Sequence, residues 1–250
     1  MFFSVCVPAV FPKQPMQQML LRVRKAGYRH FEFWSWWDQD IDALESAMRE
    51  ADVIPAALCT RFVSLTDPAQ RDEYLRGLAD TVALCRRLGC PVIISQVGAE
   101  RPGVPRRAQH DSLVEGLMAA APLLDGQTLV IEPLNTKIDH PGYYLSASAE
   151  AFEIVEEVNH PRVKVLFDLY HQYITEGLDI ADIVGRLPRI GHFHMAGYPG
   201  RHEPLSDSEI DYPAILRAIK DAGYAHGVGL EYSPARDADE GLRALAALPL

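Results

Sequence analysis

V-K-V-L-F-D-L-Y-H, Val163 to His171, reads as a buried strand that ends in a carboxylate, Asp168, with an imidazole, His171, three residues further on. Three other apolar runs end in a similar way: T-L-V-I-E at Glu132, I-G-H-F-H at His194 and V-G-L-E at Glu231. Each brings one side chain able to bind a cation or move a proton to the C-terminal end of a strand. Four such ends on successive runs point to a barrel with a single site at its mouth.

The same rhythm continues on either side. Strands are expected at Thr128–Ile131, Val163–Phe167, Ile190–Met195 and Gly227–Leu230, alternating with helical patterns at Ala147–Val158, Ile180–Leu187, Tyr212–Ala222 and Ala238–Ala247. Toward the N-terminus, Phe2–Val7 is a β-favouring run ended by Pro8. Pro15 then opens a helical pattern through Met16, Met19, Leu20 and Val23, which Gly27 ends. His30–Phe33, Val53–Cys59 and Val92–Ser95 are further strands, with helices at Ile41–Ala51, Pro68–Leu88 and Arg106–Leu124.

Eight strands alternating with eight helices imply parallel strands, because only a crossover helix returns the chain to start the next strand in the same direction. In 250 residues this fits an α/β fold of the (β/α)8 TIM barrel type, one domain over residues 1–250. The alternative is a doubly wound open sheet. Against it, no G-x-G-x-x-G follows the first strand and no Walker-type lysine loop is present. The longest irregular pieces, Val97–Pro105, Pro133–Ser146 and Ala196–Asp211, all follow strands, on the face where a barrel places its site.

With 48% hydrophobic and 23% charged residues the chain can build an ordinary buried core. A net charge of −10 opposes nucleic-acid binding, which needs clustered Lys and Arg, and the basic runs Arg22–Lys25 and Pro105–Arg107 fall in helical patterns. Cys6, Cys59, Cys85 and Cys90 form no C-x-x-C pair, so reduced thiols in a cytoplasmic protein are expected. The apolar start M-F-F-S-V-C-V-P lacks a basic leader and is broken by proline, and no run reaches the ~18 apolar residues of a membrane span. No membrane partner is expected.

Glu132, Asp168, His194 and Glu231 offer three carboxylates and one imidazole, a hard donor set suited to a divalent ion such as Mg, Mn or Co. Any one of them alone could simply cap a helix or pair with an arginine. His192 and His194 lie two apart and share a face of their strand; His194 is nearer the mouth, and His192 is expected one layer deeper. His171 either reaches a substrate oxygen or bonds a loop carbonyl. Two glutamates across a small pocket suit proton transfer between adjacent carbons through an enediolate, which makes Glu132 and Glu231 the candidate catalytic pair.

I-E-P-L-N at Ile131–Asn135, D-x-x-H at Asp168–His171, G-H-F-H at Gly191–His194, P-G-R-H-E-P at Pro199–Pro204, E-I-D-Y at Glu209–Tyr212 and G-L-E-Y at Gly229–Tyr232 together resemble the hydroxypyruvate isomerase family. That family belongs to the xylose isomerase-like barrels, with the ketose 3-epimerases as a related branch. The resemblance implies that Glu132 and Glu231 donate and accept the proton. From the epimerase branch it implies that Glu132, Asp168, His194 and Glu231 hold a divalent ion, required or dispensable, and that His171 contacts substrate. His194 stands where many hydroxypyruvate isomerases have Gln, which favours the epimerase branch. The loop A-G-Y-P-G-R-H-E-P, in place of G-E-x-N-R, favours the isomerase branch.

The expected activity is interconversion of hydroxypyruvate and 2-hydroxy-3-oxopropanoate, with epimerisation or isomerisation of a free ketose as the alternative. Arg201 is the natural partner of a substrate carboxylate, because its planar fork matches one in bidentate geometry. His202 could assist it. Glu32, Trp34 and Gln96 are further candidate substrate contacts, and the loop W-S-W-W at Trp34–Trp37 is expected either to exclude water from the site or to form a contact in a homo-oligomer. An abasic-site endonuclease shares this barrel, but the negative charge opposes that activity.

Overall fold

The computed structural model describes residues 1–248. Its strands are β1 (Phe2–Cys6), β2 (His30–Phe33), β3 (Ile54–Cys59), β4 (Val92–Ser95), β5 (Thr128–Ile131), β6 (Val163–Asp168), β7 (Ile190–Met195) and β8 (Gly227–Leu230). They pair in chain order, each parallel to the next, and β8 pairs back onto β1 to close the barrel. The helices are α1 (Val7–Val10), α2 (Met16–Lys25), α3 (Ile41–Ala51), α4 (Arg71–Leu88), α5 (Arg106–Ala120), α6 (Ser148–Val158), α7 (Leu169–Glu176), α8 (Ile180–Arg186), α9 (Tyr212–Asp221) and α10 (Ala238–Leu245).

Local chemistry sets the boundaries. Asp40 caps α3 by accepting from the Ala43 amide at 3.0 Å, which satisfies one of the free N–H groups of a first turn. Gly89, at φ +72, ends α4 in the left-handed conformation that a side chain disfavours. Two short helices depart from the simple alternation. Val7 and Pro8 turn out of β1 directly into α1, and Asp168 ends β6 by capping α7, accepting from the amides of Tyr170 at 2.8 Å and His171 at 3.3 Å. The expected helix Arg106–Leu124 ends earlier, at Ala120, and continues as a tight turn over Ala121–Leu123 that contains Pro122.

Two apolar layers result. Outward-facing strand residues such as Phe31, Ile93, Leu129, Val165 and Phe193 pack under the helices, while Ala57, Cys59, Val92, Ile94, Val130 and Leu166 fill the barrel interior. The interior also holds a buried polar group of Ser4, Glu32, His192 and His194. Space for it comes from β8, G-V-G-L. A Cβ on Gly229 would lie 2.5 Å from Glu32 Oε1 and from His194 Cδ2, and one on Gly227 would lie 2.9 Å from His192 Cε1. Pairing of Asp168 with His194, and of His194 with Gly229, brings the ends of β6, β7 and β8 level at one mouth. Glu132 and Glu231 each stand one residue past their strands.

Candidate active site

One ligand atom from each of Glu132, Asp168, His171 and Glu231 lies within 4.8 Å of the others, and all four residues are buried. His194 joins them through Nδ1, which is 3.7 Å from both Glu132 Oε1 and Glu231 Oε2. Glu132 Oε1, Asp168 Oδ2, His171 Nε2 and His194 Nδ1 are all buried without a hydrogen-bond partner. Such orphaned atoms are costly unless something fills the space between them. Three carboxylates and an imidazole nitrogen are donors that a divalent cation accepts, so the residues present fit an ion of that class.

The two histidines at this cluster present opposite faces. Asn135 accepts the amides of Ile138 and Asp139 on Oδ1, at 3.0 and 3.1 Å, which turns its NH2 group onto His171 Nδ1 at 2.6 Å. That nitrogen is therefore the acceptor, and the neutral ring carries its proton on Nε2, 3.6 Å from Asp168 Oδ2. His171 thus offers an N–H to the pocket. His194 instead meets Glu32 Oε2 with Nε2, at 2.9 Å, and leaves Nδ1 facing the acids.

Glu231 is the most heavily held acid. Arg201 Nη2 donates to its Oε2 at 2.5 Å and Trp34 Nε1 to its Oε1 at 3.1 Å, while Cys6 Sγ approaches Oε1 at 3.8 Å. Burial alone would raise the Glu231 carboxyl, but the Arg201 guanidinium and then His194 hold it well below the usual carboxylate range. Burial pushes the Asp168 carboxyl up, with His194 and Arg201 pulling against it. Burial lowers His171 to about 4, the charge of Glu132 opposing, so this ring is neutral near pH 7. For His194 burial opposes the charged form, yet Glu32, Glu132 and Glu231 outweigh it and raise the ring well above its ordinary value.

The remaining residues expected at the site divide. Arg201, in left-handed backbone at φ 55, reaches the cluster but spends one nitrogen on Glu231. Trp34 reaches Glu231 as well, and with Arg201, Glu231, Tyr232, Pro8 and Pro12 it lines a cavity of about 330 Å³. His202 is placed elsewhere: it is exposed, bonds the Ser233 carbonyl at 2.9 Å, and lines a separate hollow with Glu203 and Arg236. Glu32 is not open to a substrate, because it is buried on the far side of the His194 ring and both its oxygens are engaged. Gln96 stands half-buried one residue past β4. Trp36 and Trp37 form their own cluster with Phe62 under the Arg61 guanidinium.

Three residues without an expected role take part in holding the cluster: Cys6 against Glu231, Asn135 against His171, and Ser4, whose hydroxyl donates to Glu32. Asn135 sits in the I-E-P-L-N motif, so its position was visible in the sequence; Ser4 and Cys6 carried no signal beyond the inward alternation of β1.

The family of xylose isomerase-like TIM barrels matches residues 20–248. The chain is similar to hydroxypyruvate isomerase of Escherichia coli, at 29% identity over 96% of each protein. It is also similar to 2-oxo-tetronate isomerase of Pectobacterium atrosepticum, at 29% identity over 70% of this chain and 67% of that protein. Among solved structures it superposes on an AP endonuclease, family 2, from Brucella melitensis with a TM-score of 0.93 and 26% identity over 98% of each chain.

Proposed function

Because the chain belongs to the xylose isomerase-like TIM barrel family, we propose that it is an isomerase of small 2-oxo acids, with hydroxypyruvate and 2-hydroxy-3-oxopropanoate as the pair it interconverts. The observation that carries this reading is the pairing of Glu132 and Glu231 across one point, each with an oxygen 3.7 Å from His194 Nδ1. Two carboxylates so placed can take a proton from one carbon and return it to its neighbour. Glu132 is the better placed to take the proton first, because its Oε1 is free of any hydrogen bond whereas both Glu231 oxygens accept donors. His171 Nε2–H is aimed to donate to a substrate oxygen, and neutral imidazole donates without adding charge to the pocket. Arg201 brings further N–H groups to the cavity beside Glu231, where a substrate carboxylate would sit.

Glu132, Asp168, Glu231 and His194 Nδ1 would hold the divalent cation, Mg, Mn or Co. Bound there, the ion supplies Lewis-acid polarisation of the substrate oxygens. The four cysteines are buried and unpaired, which suits a cytoplasmic enzyme, and among the described residues no helix is long and apolar enough to cross a membrane.

The test is conversion of hydroxypyruvate by Glu132→Gln and Glu231→Gln proteins. Each loses about 10²-fold or more in kcat, the usual worth of a positioned acid or base; near-normal rates in both would sink the mechanism. A second reading, a free ketose as substrate, is favoured by the imidazole of His194 that completes the donor set beside Glu132 and Glu231. A panel of ketopentoses and ketohexoses, assayed with Mn or Co restored after chelation, separates the two. The name of the Brucella neighbour adds nicking of abasic duplex DNA as a control, and the net charge of −10 predicts none.

A further inference from the structure

We infer that Glu32 is a positioning residue: it fixes a proton of His194 on Nε2 and so turns Nδ1 toward Glu132 and Glu231 as the ligand face. The inference rests on the cation reading above for its functional consequence, but its geometry stands apart from it. Glu32 is 2% exposed and accepts on both oxygens. Oε1 takes the Ser4 hydroxyl and His192 Nε2, the latter at 2.8 Å, while Oε2 takes His194 Nε2 at 2.9 Å. An ionised carboxylate only accepts, so each imidazole must present N–H where it meets Glu32. The ring of His194 is then committed: Nε2 carries hydrogen, and Nδ1 is the one nitrogen that can give a lone pair. A carboxylate behind a ligating histidine orients the ring and raises its basicity.

The contact between Glu32 and His194 is also hard to rearrange. A Cβ at Gly229 would meet both Glu32 Oε1 and His194 Cδ2 at 2.5 Å, so the bare strand β8 lets the two side chains lie this close. His192 on the other oxygen keeps the carboxylate from rotating away. Together with His171, whose proton is held toward the pocket by Asn135, Glu32 divides the two site histidines into one N–H donor and one lone-pair donor.

Glu32→Gln tests this. An amide has one acceptor and one donor end; with the Ser4 hydroxyl and His192 both donating on the Oε1 side, the amide oxygen stays there and the NH2 faces His194. The ring then accepts on Nε2 and keeps hydrogen on Nδ1. Titration of Mn²⁺ into metal-free wild type, Glu32→Gln and Glu32→Asp by calorimetry gives the affinities. Long-range ¹⁵N–¹H spectra of the Zn²⁺-loaded protein, and of the metal-free protein at a pH high enough to neutralise the raised His194 ring, show which His194 nitrogen carries hydrogen. The expected result is Nε2–H in wild type, Nδ1–H in Glu32→Gln with at least about tenfold weaker Mn²⁺ binding, and substantial recovery in Glu32→Asp. Binding by Glu32→Gln within twofold of wild type overturns the inference. If Glu32→Gln does not fold, the wild-type spectrum still decides, because a neutral ring with Nδ1–H contradicts the assignment. Should wild type take up neither Mn²⁺ nor Zn²⁺, the cation reading fails, and the position of the His194 proton in the metal-free neutral ring tests Glu32 on its own.

Discussion

His171 shows how burial at a single residue becomes a property of the whole chain. Its folded-state value of about 4, lowered by burial against the charge of Glu132, lies below the ordinary histidine value of about 6.5 that the unfolded chain keeps. As pH falls through that window the unfolded chain takes up a proton that the folded ring refuses, so stability present above pH ~6.5 is lost on the way down to ~4. The loss from this residue is ~3 kcal/mol. In metal-free protein, His171→Gln shrinks the difference in unfolding free energy between pH 7 and pH 4 by about that amount, as measured by urea denaturation; an unchanged difference would remove His171 as its source. Much at this scale was legible: Glu132, Asp168, His194 and Glu231 each end an apolar run, and the chain itself marks such ends. Their partners were not, because hydrogen bonds such as Glu32 to His194 link residues far apart in sequence, and no local pattern encodes which oxygen meets which ring.

Among the elements, α7 was the least readable, since L-Y-H-Q-Y-I-T-E carries aromatic and β-branched residues that suit a strand or loop as well as a helix. Its start is set by Asp168, which serves two elements at once: Oδ1 caps α7 while Oδ2 faces the acids without a partner. The two roles can be separated. Asp168→Asn keeps a capping oxygen, because Asn caps as well as Asp, and removes a charge that burial disfavours. Its unfolding free energy in metal-free protein therefore stays equal to wild type or rises, while turnover falls about a hundredfold or more through loss of a cluster acid. Asp168→Ala loses the cap as well and costs about 1 kcal/mol. Denaturant melts paired with rates check both, and equal destabilisation by the two variants would contradict the split. The register shifts in β2 to β3 pairing at Phe31/Glu32 and in β6 to β7 pairing at Val165/Leu166 were also invisible in the sequence. A bulge is a backbone accommodation to neighbouring strands, and hydrophobic alternation alone does not specify it.

At the scale of the molecule, the barrel was legible because eight apolar runs separated by helical patterns leave few ways to return a chain. The same closed wall concentrates the buried acids at one end, so a cation that binds only the folded state stabilises all of it. At about a hundred times its Kd, Mn²⁺ adds ~2.7 kcal/mol, seen as a rise of several degrees in Tm that chelation reverses; no rise in wild type would count against the cation reading. Closure itself sets an order of events during synthesis. β1 finds its second neighbour only in β8, Phe2 opposite Gly227, so strand edges stay unpaired until the last strand is made. Until β8 emerges the outer edges of β1 and β7 have no partner strand, and unpaired edges of this kind make an incomplete chain prone to aggregate. The contacts of Cys6 and Trp34 with Glu231 form across that final seam. The site is therefore complete only once β8 has closed the barrel, and a chain truncated before β8 lacks both the closing strand and Glu231.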